Sequence, residues 1–264
     1  MTLNIAPVTV ITYKNQGLRL TLDVVPEHLK ELCQSLGEEK KWPRANARDW
    51  FSWVIASSHF KWDATNLPLD VDRQGLKEMV ALSNVNTIDC CASVLAWGGM
   101  NRMHGSRLFK CKSDWISLSE KIRSGAVSRS EAYDEFAGLR NSGQLSGMGP
   151  AYFTKLIFFL MPESTMRGYI MDQWTARSVN LLSGKNLVRT KRYEVQVNGR
   201  LRTFETVSDQ NTSRDYENFC VYLEELSQHS AINVPPEDLE QCLFSNGRGK
   251  GRWRTYVKLT GSVP

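Results

Sequence analysis

Gly147 and Gly149, separated by Met148 and followed at once by Pro150, make the break in the chain that most restricts its fold. Glycine accepts φ > 0 at little steric cost, so Gly-x-Gly can turn sharply. Proline suits the first turn of a helix, where its missing N–H is not needed. The apolar run from Pro150 to Leu160 then reads as a helix. The stretch from Leu145 to Lys155 therefore reads as a helix end, a tight turn and a second helix. N–H groups at the head of that second helix can hold a phosphate oxygen, which grips a nucleic-acid backbone without reading sequence. A plain connection between packed helices fits the same residues.

Periodicity and capping signals predict a helical body around this turn. Helices are expected from Pro26 to Leu36, Arg44 to Ser57, Gly75 to Leu82, Thr87 to Met100 and Asp114 to Ser124. The Arg44 helix has Trp50, Trp53 and Val54 on one side. Ser128-Arg-Ser-Glu131 is a capping-box sequence opening a helix to about Asn141. Further helices follow at Asp172–Leu182, Tyr216–Gln228 and Pro236–Phe244. Two β-hairpins are expected, one at about residues 8–23 around Asn15-Gln-Gly17. The other, at about 191–207, turns on Asn198-Gly199, the strongest local hairpin signal. No linker or repeat divides the chain, so residues 1–264 read as one mainly α unit with small β-hairpins.

Composition narrows the function classes. The net charge of +5 mildly favours a polyanionic partner. No apolar run approaches the roughly 20 residues of a membrane span, and no signal peptide is visible, so a cytoplasmic protein without membrane contact is expected. Six scattered cysteines and four histidines show no ligand spacing. No metal, iron–sulfur cluster or other cofactor is expected.

The candidate chemistry sits after the turn. Asp172 precedes an amphipathic helix, where an N-cap is a common job for Asp. Lys155 is the only charge between Pro150 and Leu160. A lone lysine in an apolar helix tends towards a neutral, nucleophilic amine, although it could equally snorkel to the surface or meet a phosphate. Glu240 and Phe244 are four residues apart and share a helix face.

The Leu-x-Gly-x-Gly turn, the apolar helix and the Asp about 20 residues later resemble the helix-hairpin-helix DNA glycosylase superfamily, in its 8-oxoguanine DNA glycosylase branch. The resemblance is clear over about residues 145–182 and fainter at 80–100 and 215–245. It implies that Gly147, Met148 and Gly149 bind DNA, and that Asn84 and Asn86 sit in a loop pressed into the gap left by a flipped base. It implies a base pocket with Glu240 reading the base edge and Phe244 stacking on it. It implies that Asp172 stabilises the oxocarbenium that forms when the glycosidic bond breaks. An ionised Glu240 could accept from N1–H and the exocyclic amine of a guanine-type base.

The family's lysine follows the second glycine directly, where this chain has Pro150-Ala151. Lys155 lies one helical turn later and on the same face as Ala151. It can serve as the Schiff-base nucleophile. Otherwise Asp172 alone can support a monofunctional enzyme that activates water. The expected function is thus a DNA N-glycosylase, with or without lyase activity, acting as a monomer on duplex DNA that carries a modified purine. Arg248, Lys250, Arg252 and Arg254 are expected to help hold the backbone. Proteins of this fold also occur in bacterial antiphage clusters, so both repair and defence, with defence-system partner proteins, are open. A catalytically inactive nucleic-acid-binding module and a protein-interaction scaffold are the alternatives.

Overall fold

In a computed structural model, the described residues are 22–37, 44–111, 114–163, 166–244 and 251–260. They form twelve helices and one two-stranded sheet. The helices are α1 (Pro26–Ser35), α2 (Ala47–Ser58), α3 (Arg73–Ala81), α4 (Thr87–Trp97), α5 (Arg102–Lys110), α6 (Trp115–Arg123), α7 (Arg129–Asn141), α8 (Pro150–Leu160), α9 (Gln173–Ser183), α10 (Ser213–Ser227), α11 (Pro236–Leu243) and α12 (Arg252–Thr260). The strands β1 (Thr190–Val197) and β2 (Arg200–Val207) lie between α9 and α10. The mainly helical expectation is met. The hairpin expected at 8–23 lies outside the described residues apart from Leu22 and Asp23, which are irregular.

Two apolar helices occupy the centre. In α4 every residue from Asp89 to Trp97 is buried. In α8 every residue from Phe153 to Leu160 is buried. A helix that is apolar all round must be surrounded by others. Accordingly α4 packs on α2, α3, α6 and α8, and α8 also meets α3, α6 and α7. The core runs continuously from Leu32 in α1 to Val257 in α12.

Side-chain caps set most helix starts. Asn46, Asp72, Asn86 and Asn101 each accept an N–H from the first turn of the following helix. Ser128, Asp172 and Thr212 close full capping boxes. The inserted hairpin has its expected turn, with Asn198 at φ 51° and Gly199 at φ 74°. Consecutive positive φ values match a two-residue primed turn. Val197 pairs with Arg200 and Thr190 with Val207.

Three local expectations need correction. Trp50 and Val54 are buried, but Trp53 is 36% exposed, because the apolar stripe of α2 runs through positions 47, 50, 51, 54 and 58. The long helix from Thr87 stops at Trp97, and Gly98-Gly99 hands the chain to an unexpected helix, α5. There the lack of a side chain on Gly105 admits Trp50, whose Cζ2 lies 2.6 Å from where a Cβ would be. Residues 252–260, where no helix was expected, form α12, anchored by buried Trp253, whose Nε1 donates to Ser178 Oγ at 2.9 Å.

Candidate active site

The turn before α8 is a backbone necessity. Gly147 has φ +86°, and a Cβ there would lie 2.4 Å from His104 O. Both the left-handed conformation and the close approach to α5 exclude a side chain. Gly149 is extended at the N-cap, Pro150 is the first helical residue, and α8 has no side-chain cap. Its first-turn N–H groups thus differ from those of α7, α9 and α10, which are capped from within. Asp209 lies beside Gly149, and Arg140 offsets its charge at 3.2–3.3 Å. The Met148 side chain is fully buried, so any contact with DNA at this position is through its main chain.

Lys155 lies one turn into α8 and is only 3% exposed. Long helical side chains point back towards the N-terminus. Its Nζ accordingly donates to the carbonyl of Ala151 at 2.5 Å. The amine is therefore turned back along the helix, against the carbonyl of the preceding turn. The stem is accommodated by Gly98 after α4: a Cβ there would be 2.8 Å from Lys155 Cδ. Burial pushes the Lys155 pKa down, with Asp172 and Glu240 acting against that shift.

Asp172 is 7% exposed. Its Oδ1 accepts from Trp174 N at 2.7 Å and Thr175 N at 3.1 Å. Capping alone would hold the carboxyl ionised. Burial outweighs that and raises its pKa, opposed by Lys155, the two N–H groups and Arg254. Helix α11 brings in Glu240, which is 0% exposed, and Phe244 at its C-cap, 7% exposed. The Phe244 ring centre is 5.6 Å from Lys155 Nζ. Glu240 Oε2 accepts from Arg73 Nη2, while Oε1 has no partner among the described residues. The structure thus brings Lys155, Asp172, Glu240 and Phe244 together as a buried cluster. With Oε2 engaged by Arg73, one oxygen of Glu240 rather than two is open to a further donor.

A cluster of cations borders Asp172. Arg254 Cζ lies 3.8 Å above the Trp174 ring, with Arg177 at 5.1 Å and Lys258 at 5.6 Å. Of the expected backbone-holding residues, Arg252 is instead paired with Glu31 and Gln34 on α1. Arg248 and Lys250 lie outside the described residues.

Asn84 and Asn86 are exposed, but they belong to a different part of the molecule. They precede α4, whereas Lys155 meets its far end, about 16 Å away at 1.5 Å per residue. The Asn86 side chain caps α4 by accepting Ile88 N at 2.9 Å. Arg123 holds the loop by donating to the carbonyls of Val80, Leu82 and Val85. A cavity of about 840 Å³ opens beside this loop, lined in part by Trp62, Asp89 and both asparagines. Its polar walls are largely engaged internally: Trp62 Nε1 donates to Asp89, Asp63 binds Thr65, and Asp70 binds Arg44. Lys155 and Asp172 do not line it.

Sequence reasoning missed Gly98, Arg73, Arg123 and Trp174. Only Gly98-Gly99 carried a local signal, a glycine pair after a buried helix. Among the described residues no group of His, Cys, Asp and Glu could hold a metal ion, and no helix is long and apolar enough to cross a membrane.

A family profile described as "Putative 8-oxoguanine DNA glycosylase OGG-like protein" matches residues 24–244. No curated protein and no solved structure matches the chain. The matched span contains the turn at 147–149, Lys155, Asp172, Glu240 and Phe244. The chain therefore belongs to this OGG-like glycosylase family, which is of DNA-glycosylase type.

Proposed function

We propose that the protein is a bifunctional DNA N-glycosylase that removes a modified guanine-type base from duplex DNA, with Lys155 as nucleophile and Asp172 as the electrostatic partner. The observation that carries this reading is the Lys155 amine, desolvated and turned back to Ala151 O beside Asp172 and Glu240.

The uncapped head of α8 and the cations around Trp174 hold backbone phosphates. The target nucleotide leaves the stack. Phe244 moves aside to admit the base and then stacks on it. Lys155, as the neutral amine, attacks C1′ while the C1′–N bond breaks, and the departing base takes a proton from the new ammonium. Asp172 as carboxylate faces the positive charge developing on the sugar. The second nitrogen proton passes to O4′ as the sugar ring opens to give the Schiff base, from which loss of a C2′ proton and of the 3′ phosphate cleaves the strand on the 3′ side. The protein acts as a monomer in the cytoplasm, and repair or antiphage defence is the biological setting.

The test is base release from duplexes carrying a panel of modified guanines, read by mass spectrometry. Wild type should release one of them and Asp172→Asn none, with binding of the duplex retained. Equal release by both proteins, or duplex binding without release of any base, would count against the proposal. The second result would favour an inactive binding module.

A further inference from the structure

Glu240 is wholly buried, yet the structure uses only one of its oxygens. Oε2 takes the hydrogen bond from Arg73, and Oε1 is an orphan acceptor. A buried acceptor left unmade retains its full desolvation penalty, so Oε1 is suited to a donor supplied from outside the protein. Arg73 comes from the first turn of α3, and its Cζ lies 4.3 Å from the centre of the buried Phe158 ring on α8. Stacking and hydrogen bonding leave its guanidinium little freedom. Lys77 and Arg167 each lie 5.6 Å from the same ring and pair with Glu237. The charged groups acting on Glu240 itself are Arg73 from α3, Lys155 from α8 and Asp172 at the head of α9.

We propose that Arg73 is a specificity-determining positioning residue, which keeps Glu240 an acceptor-only carboxylate and turns Oε1 alone towards the flipped base. The base selected is then one that presents an N–H donor to that oxygen, a ring imino group or an exocyclic amine. This rests on the glycosylase reading above. An ionised carboxylate only accepts, whereas a protonated one also donates. Burial and Asp172 favour the protonated form of Glu240, while Arg73 and Lys155 oppose it. Removing Arg73 leaves only Lys155, whose own charge burial disfavours, and tips the carboxyl towards its neutral form. The pocket would then stop discriminating by donor.

Two readouts test this. The first follows the Glu240 carboxyl carbon by ¹³C NMR as pH is varied, in wild type, Arg73→Met and Arg73→Lys. Glu240 should be ionised at neutral pH in wild type and in Arg73→Lys, and protonated in Arg73→Met. The second compares excision of a guanine-type lesion with its purine analogue lacking both N1–H and the 2-amino group. Wild type should prefer the donor-bearing base by about 10²-fold or more, because the analogue leaves a buried acceptor unpaired. Arg73→Met should reduce the preference to within about tenfold, and Arg73→Lys should restore most of it. If Arg73→Met fails to fold, Arg73→Lys against Glu240→Gln carries the comparison: Glu240→Gln should lose the preference that Arg73→Lys keeps. A protonated Glu240 in wild type, or unchanged base preference in Arg73→Met, would overturn the proposal. If no duplex is cleaved by any protein, the glycosylase reading fails, and the NMR titration still decides whether Arg73 sets the state of Glu240.

Discussion

Gly98→Ala tests whether the position of the Lys155 amine matters. A Cβ at this residue lies 2.8 Å from Lys155 Cδ and 3.3 Å from Cε. Carbon atoms in ordinary contact are about 3.5–4 Å apart, so the lysine stem must retreat by roughly 1 Å. The backbone at Gly98 has φ −63° and ψ −6°, which alanine adopts freely. The closest atoms belong to a flexible side chain, with the backbone Val94 O next at 3.2 Å, and the expected loss of stability is about 1 kcal/mol, at the low end for overpacking. A 1 Å misplacement of a reacting group costs about 10²-fold in rate. Single-turnover borohydride trapping on a duplex with an abasic site should therefore slow about 100-fold in Gly98→Ala. Its melting temperature should fall by only about 2–4 °C, and its DNA affinity should not change. Trapping at the wild-type rate by a folded Gly98→Ala would refute the argument that the Gly98 contact places the reacting amine.

Other substitutions separate scaffold from chemistry. Asp172→Asn keeps an N-cap acceptor and should cost little stability, whereas Asp172→Ala should lose about 1 kcal/mol in chemical denaturation; both should lose at least about 10²-fold in base release. The trapping rate should rise with pH as Lys155 loses its proton and should level off below pH 10.5, because burial lowers its pKa; a rate still climbing there in single-turnover assays would contradict the desolvated amine. Gly147→Ala places a Cβ against His104 O in a left-handed conformation, and calorimetry should show a loss of about 1–3 kcal/mol. Arg129→Met removes a buried guanidinium that holds Glu217, Glu224 and the Arg167 carbonyl. The two glutamates are about 30% exposed and regain water, so the expected cost is about 3 kcal/mol, read as a melting temperature roughly 6–12 °C lower.

What could be read from the sequence was local. Pro150 and the apolar run after it gave α8 its observed bounds, and Asn198-Gly199 gave the hairpin turn, because in both cases the residues that decide are neighbours. Helices α5 and α12 were missed because their identity is set by packing: Gly105 matters only when Trp50 is against it, and Trp253 only when it reaches Ser178. The pocket shows the same division. The family resemblance pointed to Asp172, Glu240 and Phe244, and the lone charge in an apolar helix pointed to Lys155. Nothing local pointed to Arg73, since it meets Glu240 from 167 positions away. The backward turn of Lys155 follows from helix geometry, but the space for its stem depends on Gly98 in another helix.

The most direct measurement is borohydride trapping on a duplex containing a natural abasic site, followed by peptide mapping of the adduct. It does not require the target base to be known. The account predicts one covalent adduct, mapped to Lys155 and abolished in Lys155→Ala. An adduct on another residue, or trapping that persists in Lys155→Ala, would contradict it.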